Sequence, residues 1–131
     1  MKLNEVAKRS GYLAFVVPEQ ARQELAKRFP PKYPEFIGHH ITEVFGWSAS
    51  QPVPTGTATV KVIGHAEEKG LEALVVTVEG KTLRPDGKRY HITWSLDRSK
   101  GKKPVMSNDL IARSGFQPVE PYSFTSHLEL F

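Results

Sequence analysis

Apolar and polar positions alternate over short runs in this chain, and Pro and Gly punctuate them. Residues 12–17 (YLAFVV) are aromatic, β-branched and apolar, which predicts a first strand. Pro18 opens a helix where its missing N–H costs nothing. Ala21, Leu25 and Phe29 follow at spacing four as one apolar stripe, with Arg22, Lys27 and Arg28 among the polar positions. Pro30 and Pro31 end that helix near Phe29. A loop (PPKYPEF) leads to a strand over roughly residues 36–45, and Gly46 to Gly56, with Pro52 and Pro54, is a loop. Residues 57–66 and 71–79 predict a hairpin about the turn Glu67-Glu68-Lys69-Gly70. Pro85-Asp86-Gly87 marks another turn, before a strand over 89–97. Arg98 to Pro104 reads as a basic, mobile loop, and Ser107 as the N-cap of a short helix, 108–113, closed by Gly115. A strand over about 122–130 ends the chain. The sum is about six strands and two helices, an α+β pattern in one domain over residues 1–131, with no linker to divide it.

Two of these strands carry the same tripeptide. His40-Ile41-Thr42 and His91-Ile92-Thr93 stand 51 residues apart (91 − 40). Residues i and i+2 of a strand share a face, so each copy presents one imidazole and one hydroxyl on one side and an isoleucine on the other. In the second copy His91, Thr93 and Ser95 share one face, with Tyr90, Ile92, Trp94 and Leu96 on the apolar one. The first is less regular: His40, Thr42 and Val44 share a face, and His39 falls with Ile41, Glu43 and Phe45. Only His40 has a threonine two residues on, so His39 is set aside.

Two His and two Thr aimed at one spot suit a phosphate. Breaking a phosphodiester needs a base for the nucleophile and an acid for the leaving oxygen, and histidine does either near neutrality. Threonine hydroxyls can hold the non-bridging oxygens where charge develops. The paired H-x-T signature on strands resembles that of the 2H phosphoesterase superfamily. Its motif is His, hydrophobic, Thr or Ser, hydrophobic. His91-Ile92-Thr93-Trp94 matches throughout, and His40-Ile41-Thr42-Glu43 departs at Glu43. The resemblance implies a small bilobal fold of antiparallel-rich sheets around a central cleft, with two helices. It implies metal-independent chemistry with no cofactor, with His40 and His91 as acid and base and Thr42 and Thr93 on the phosphate. The implied substrates are a nucleotide, a cyclic nucleotide, an RNA 2′,3′-cyclic phosphate end, or the cyclic oligonucleotide immune signals that phage members of the family destroy.

Composition narrows the setting. The chain has no cysteine, which removes disulfides, thiol catalysis and Cys-based metal sites and fits a cytoplasmic protein. The apolar run at 12–17 is too short for a membrane span, and a net charge of +4 favours anionic partners. Gly80-Lys81-Thr82 lacks the earlier glycine of a phosphate-binding loop, because position 75 is Val. Neighbours on a strand face opposite ways, so His39-His40 is no metal pair, and His65 and His127 are structural or surface residues. Tyr12 either stacks on a base or serves as a core or rim tyrosine, and Trp47 either lines the cleft or packs. Lys100, Lys102 and Lys103 either close over a polyanion or are simply solvated, with Lys102 the candidate substrate contact; Arg84, Lys88 and Arg89 carry the same two readings. Two alternatives to an enzyme stand: a non-catalytic nucleotide- or RNA-binding module, and a structural domain with an incidental motif. The last requires that the two motif strands are not neighbours.

Overall fold

The computed structural model describes residues 10–48, 52 and 56–131, without the side chains of residues 10 and 45–48. The elements are β1 (Ser10–Val16), α1 (Glu19–Arg28), β2 (Glu35–Phe36), β3 (His40–Ser48), β4 (Thr57–Glu68), β5 (Leu71–Val78), β6 (His91–Leu96), a 3₁₀ turn (Arg98–Lys100), α2 (Met106–Ser114) and β7 (Gln117–Leu130). The order in the sheet is β2-β6-β3-β1-β7-β4-β5, and β5 pairs back onto β6. Six antiparallel strands therefore close into a barrel, with β2 an extra piece on the β6 edge. The α+β class, the two helices and the antiparallel pairing follow the sequence; the strands form one closed sheet. No helix among the described residues is long and apolar enough to cross a membrane.

Alternation sorts the strands into two apolar clusters. Phe15, Ile41, Val60, Val62, Leu74, Val76, Ile92 and Trp94 fill the barrel interior, joined by Ala21 and Leu25 from the stripe of α1. Leu71, Ala73, Val75 and Leu96 point outward and pack under Leu110 and Ile111 of α2. Pro18 sits at the N-cap of α1, one residue before its first turn, where Glu19 complements the helix dipole as Lys27 and Arg28 do in the last turn. The Trp94 indole N–H reaches the Phe29 carbonyl (2.8 Å), tying the end of α1 to β6.

The strand expected over 36–45 is broken into β2 and β3 at Ile37–His39. Both pieces follow the same edge of β6: Glu35 pairs with Leu96, Ile37 N–H bonds the Trp94 carbonyl, Gly38 N–H bonds the Thr93 carbonyl, and Ile41 pairs with Ile92. Gly38 has φ of +57°, and a Cβ there would lie 2.8 Å from the Trp94 ring. Arg22 of α1 clamps this segment, bonding the Ile37 and Phe36 carbonyls and lying 3.8 Å over the Phe36 ring.

A bulge corrects the face assignment of the second motif strand. Thr93 pairs with Ala73 and Ser95 with Glu72, leaving Trp94 as the extra residue. Beyond it the faces swap: Ser95 donates to the Glu72 carboxylate (2.6 Å), and Leu96 joins the cluster under α2. Glu72 is only 1% exposed. It also accepts the Lys32 backbone N–H and lies 2.7 Å from His65 Nε2, so its buried charge is satisfied. Burial pushes its carboxyl up, but the bonds from His65, Ser95 and Lys32 outweigh that and leave it below the ordinary value.

Helix α2 begins before the expected 108–113, and Ser107 lies in its first turn; the N-cap is Val105, which has no capping side chain, while Gly115 ends the helix as expected. Strand β7 starts at Gln117 despite Pro118 and Pro121. Its pairing with β1 begins only at Leu128, so the proline-bearing half bonds β4 on one side and spares the prolines a second ladder. Arg98 to Pro104, expected as a mobile loop, makes defined contacts: Asp97 accepts from Ser99 N–H at the 3₁₀ turn, Arg98 pairs with Glu35 (2.6 Å) and Lys102 with Glu68 (3.0 Å).

We expect Gly38→Ala to destabilise the protein by about 1–3 kcal/mol, from the left-handed φ and the collision with Trp94. Urea unfolding measures this, and a loss below about 0.5 kcal/mol would show that the 37–39 break does not constrain the fold.

Candidate active site

Ile41 of β3 pairs antiparallel with Ile92 of β6, so the two tripeptides meet at their central residues. Both isoleucines are fully buried in the barrel interior. Their neighbours therefore face outward: His40 and Thr42 from β3, His91 and Thr93 from β6. All four line one pocket of about 350 Å³. Its remaining walls include Tyr12 from β1, Ile37, Arg84 from the 83–89 hairpin, and Lys103, Pro104 and Val105 ahead of α2. The motif strands are neighbours, contrary to what the reading of an incidental motif expects.

Glu43, the one departure from the family pattern, has a defined place. It lies on the Ile41 face, and its carboxylate accepts the hydroxyl proton of buried Tyr90, which precedes β6 on the Ile92 face. Burial, then the bond to Glu43, pushes the Tyr90 phenol well up, so it stays protonated as the donor. A second cross-strand contact thus lies beside the Ile41–Ile92 pair.

The two imidazoles are held differently. His91 Nδ1 lies 3.1 Å from the Arg89 carbonyl. A carbonyl only accepts, so Nδ1 carries the proton and Nε2 has the lone pair. Burial pulls the His91 pKa down to about 4; the Arg89 carbonyl resists, and the charges of Arg84 and His40 push further down. His40 is lowered too, by burial first and then by His39. Its ring is held by aromatic contacts, 5.4 Å from Tyr12 and 5.5 Å from Phe131, which themselves stack at 5.6 Å. Tyr12 lines the pocket and packs against His40, which places it as a rim tyrosine. His39 is exposed, as expected of a residue outside the site.

Thr93 is engaged within the protein. Its hydroxyl donates to the Pro104 carbonyl (3.2 Å) and lies 2.9 Å from Ser107 Oγ. Since the Thr93 proton goes to Pro104, Ser107 supplies the proton of the second bond. Ser107, read from sequence as an N-cap, instead secures a motif hydroxyl, and the only sequence clue is its place just after a basic loop. Arg84 is a buried cation at this pocket, its side chain 1% exposed and bonded bidentately to Asp86. That pairing holds the Asp86 carboxyl down at about 2.

The basic loop reaches the pocket through a different lysine from the one expected. Lys102 bonds Glu68 (3.0 Å), which also receives Arg113, and does not line the pocket; Lys103 does. The shared carboxylate of Glu68 holds Lys102 at the β4 end, while Lys103 lines the pocket. The side chain of Trp47 lies outside the described residues. His65 pairs with Glu72 and His127 with Glu129, away from the site. Among the described residues no three His, Cys, Asp or Glu side chains cluster as a metal would need. No protein-family model, no curated protein and no solved structure matches this chain.

The depressed His91 pKa has a consequence for stability. Its folded value of about 4 lies below the ordinary 6.5. Between these values the unfolded chain binds a proton that the folded state refuses. Stability is therefore full above about pH 6.5 and falls as pH drops toward 4, by on the order of 2–3 kcal/mol. We expect His91→Gln to reduce this slope in urea midpoints measured between pH 7 and 4.5, with the remainder due to His40 and the carboxylates. An unchanged slope would place the acid sensitivity elsewhere.

Proposed function

We propose that this protein is a 2H-type, metal-independent phosphoesterase acting on a nucleotide, a cyclic nucleotide or an RNA 2′,3′-cyclic phosphate end. The observation that carries the reading is the Ile41–Ile92 pairing, which brings two His-x-Thr units into one pocket with Arg84. The two lobes of such a fold would correspond to the two sides of this seam, β3 with β1 and β6 with β5.

His91 donates its Nδ1–H to the Arg89 carbonyl, which leaves the Nε2 lone pair to take a proton. His91, with Nε2 unprotonated, is then the base and His40 the acid. With a 2′,3′-cyclic phosphate, His91 takes a proton from water as the water oxygen bonds phosphorus. The bond from phosphorus to one ribose oxygen breaks, and that oxygen takes the His40 proton. With an internal RNA linkage the substrate's 2′-OH replaces water and the 5′-oxygen leaves. Thr42, and Thr93 once its proton turns from Pro104 to the phosphate, hold the non-bridging oxygens, with Arg84 and Lys103 opposing their charge. Ser107 keeps donating to Thr93 throughout. Hydrolysis of cyclic oligonucleotide signals would follow the same course.

A second reading, a nucleotide- or RNA-binding module without turnover, draws on one observation: burial disfavours the protonated form of both imidazoles. Activity separates the two. We expect hydrolysis of 2′,3′-cyclic nucleotides or cyclic di- and trinucleotides in EDTA, reduced at least about 10²-fold in His40→Ala and in His91→Ala. Binding that survives both changes, with product never formed, would establish the module. For the enzyme, kcat/KM should trace a bell whose maximum lies below pH 6.5, because both histidines are lowered. A rate flat from about pH 5 to pH 8 would contradict paired acid–base catalysis.

A further inference from the structure

A second cavity, of about 430 Å³, adjoins the first and shares Val105 and Asn108 with it. The 83–89 hairpin gives it Lys88 and Arg89, and α2 gives it Asn108, Ile111 and Ala112. Ligand sites run from about 300 to 1,000 Å³, so each cavity suits one small unit and the two together suit an extended one. Charge continues from one to the other, since Lys103 and Arg84 line the first and Lys88 and Arg89 the second. Asp109, the acidic group in the second wall, is engaged by Arg113 (3.4 Å).

Two polar atoms in this wall are buried without a hydrogen-bond partner: Arg89 Nε, a donor, and Asn108 Oδ1, an acceptor. Each such orphan is costly to leave unbonded, and a ligand that draws the side chain round to bond it would recover that loss. The Asn108 side chain makes a long bond from Nδ2 to the Val105 carbonyl (3.3 Å). A cation pair beside an unfilled donor and acceptor, over an apolar floor from α2, matches a nucleotide: phosphate for Lys88 and Arg89, base edge for Asn108, base face for Ile111 and Ala112.

We propose that this cavity holds the neighbouring nucleotide of a single-stranded oligonucleotide whose terminal phosphate lies between His40 and His91. The proposal rests on the phosphoester reading of the first pocket, and it makes the preferred substrate a chain rather than a mononucleotide.

Calorimetric titration of a nucleoside 3′-monophosphate and of a trinucleotide ending in the same 3′-phosphate tests it. The trinucleotide should bind about tenfold or more tightly, through phosphate contacts with Lys88 and Arg89 and apolar cover from Ile111 and Ala112. Ala112→Trp, at an exposed helix position, fills the cavity. Lys88→Glu reverses an exposed charge in its wall. Each should cut the gain to below about threefold and leave monophosphate affinity unchanged, and the gain in the unaltered protein should shrink with added salt. Equal affinities for the two ligands, or a gain that survives both substitutions, would overturn the subsite. Cyclic mononucleotide hydrolysis by the same preparations reads the first pocket separately: turnover without the gain removes the subsite alone, and the gain without turnover removes catalysis alone.

Discussion

The site depends on one cross-strand contact, the pairing of Ile41 with Ile92. Two buried isoleucines fill the barrel interior from adjacent antiparallel strands. The two-residue period of each strand then obliges the histidines and threonines to face the other way, together. A slip of one residue in either strand would bury a histidine and expose an isoleucine, so core packing enforces the register of the polar groups. Glu43 and Tyr90 add a bonded pair beside that contact on the same face. The position that departs from the family pattern is thus occupied by a group with a structural task, and it takes nothing from the pocket.

Around that contact the protein supplies electrostatics of one kind. Burial lowers both histidines, and the Arg84 charge lowers His91 further. Arg84 is itself balanced by Asp86 within its own hairpin, which lets a guanidinium remain almost wholly buried. The pocket thus favours neutral imidazoles until an anion enters. An incoming phosphate would raise both pKa values, so protonation of the imidazoles is favoured only when that negative charge is present.

Much of this was legible in the sequence, for local reasons. Pro18, Pro30 and Pro31 bracket α1, and the repeated tripeptide declares both its strands and its outward residues. What was not legible depends on pairing between distant segments. The bulge at Trp94, which swaps Ser95 and Leu96, exists only relative to the register of β5. Glu68, which takes Lys102 and leaves Lys103 for the pocket, lies 34 residues away from its partner. Ser107 fits the local pattern of an N-cap, yet its hydroxyl has a better partner in Thr93 on another element. The break at Gly38 was hidden because both pieces continue along one edge of β6.

The Thr93–Ser107–Pro104 contacts join the floor of the pocket to the start of α2. Meanwhile β3 and β6 share a single paired position, whereas β4 and β5 run paired from Val60 to Glu68. The barrel is therefore closed at its thinnest seam, and the pocket lies across it. An anion bonded to residues of both strands would act as a clasp on the whole cylinder. Ligand binding and global stability would then be linked by mass action through the seam, with protection of the β3 and β6 amides rising as the pocket fills.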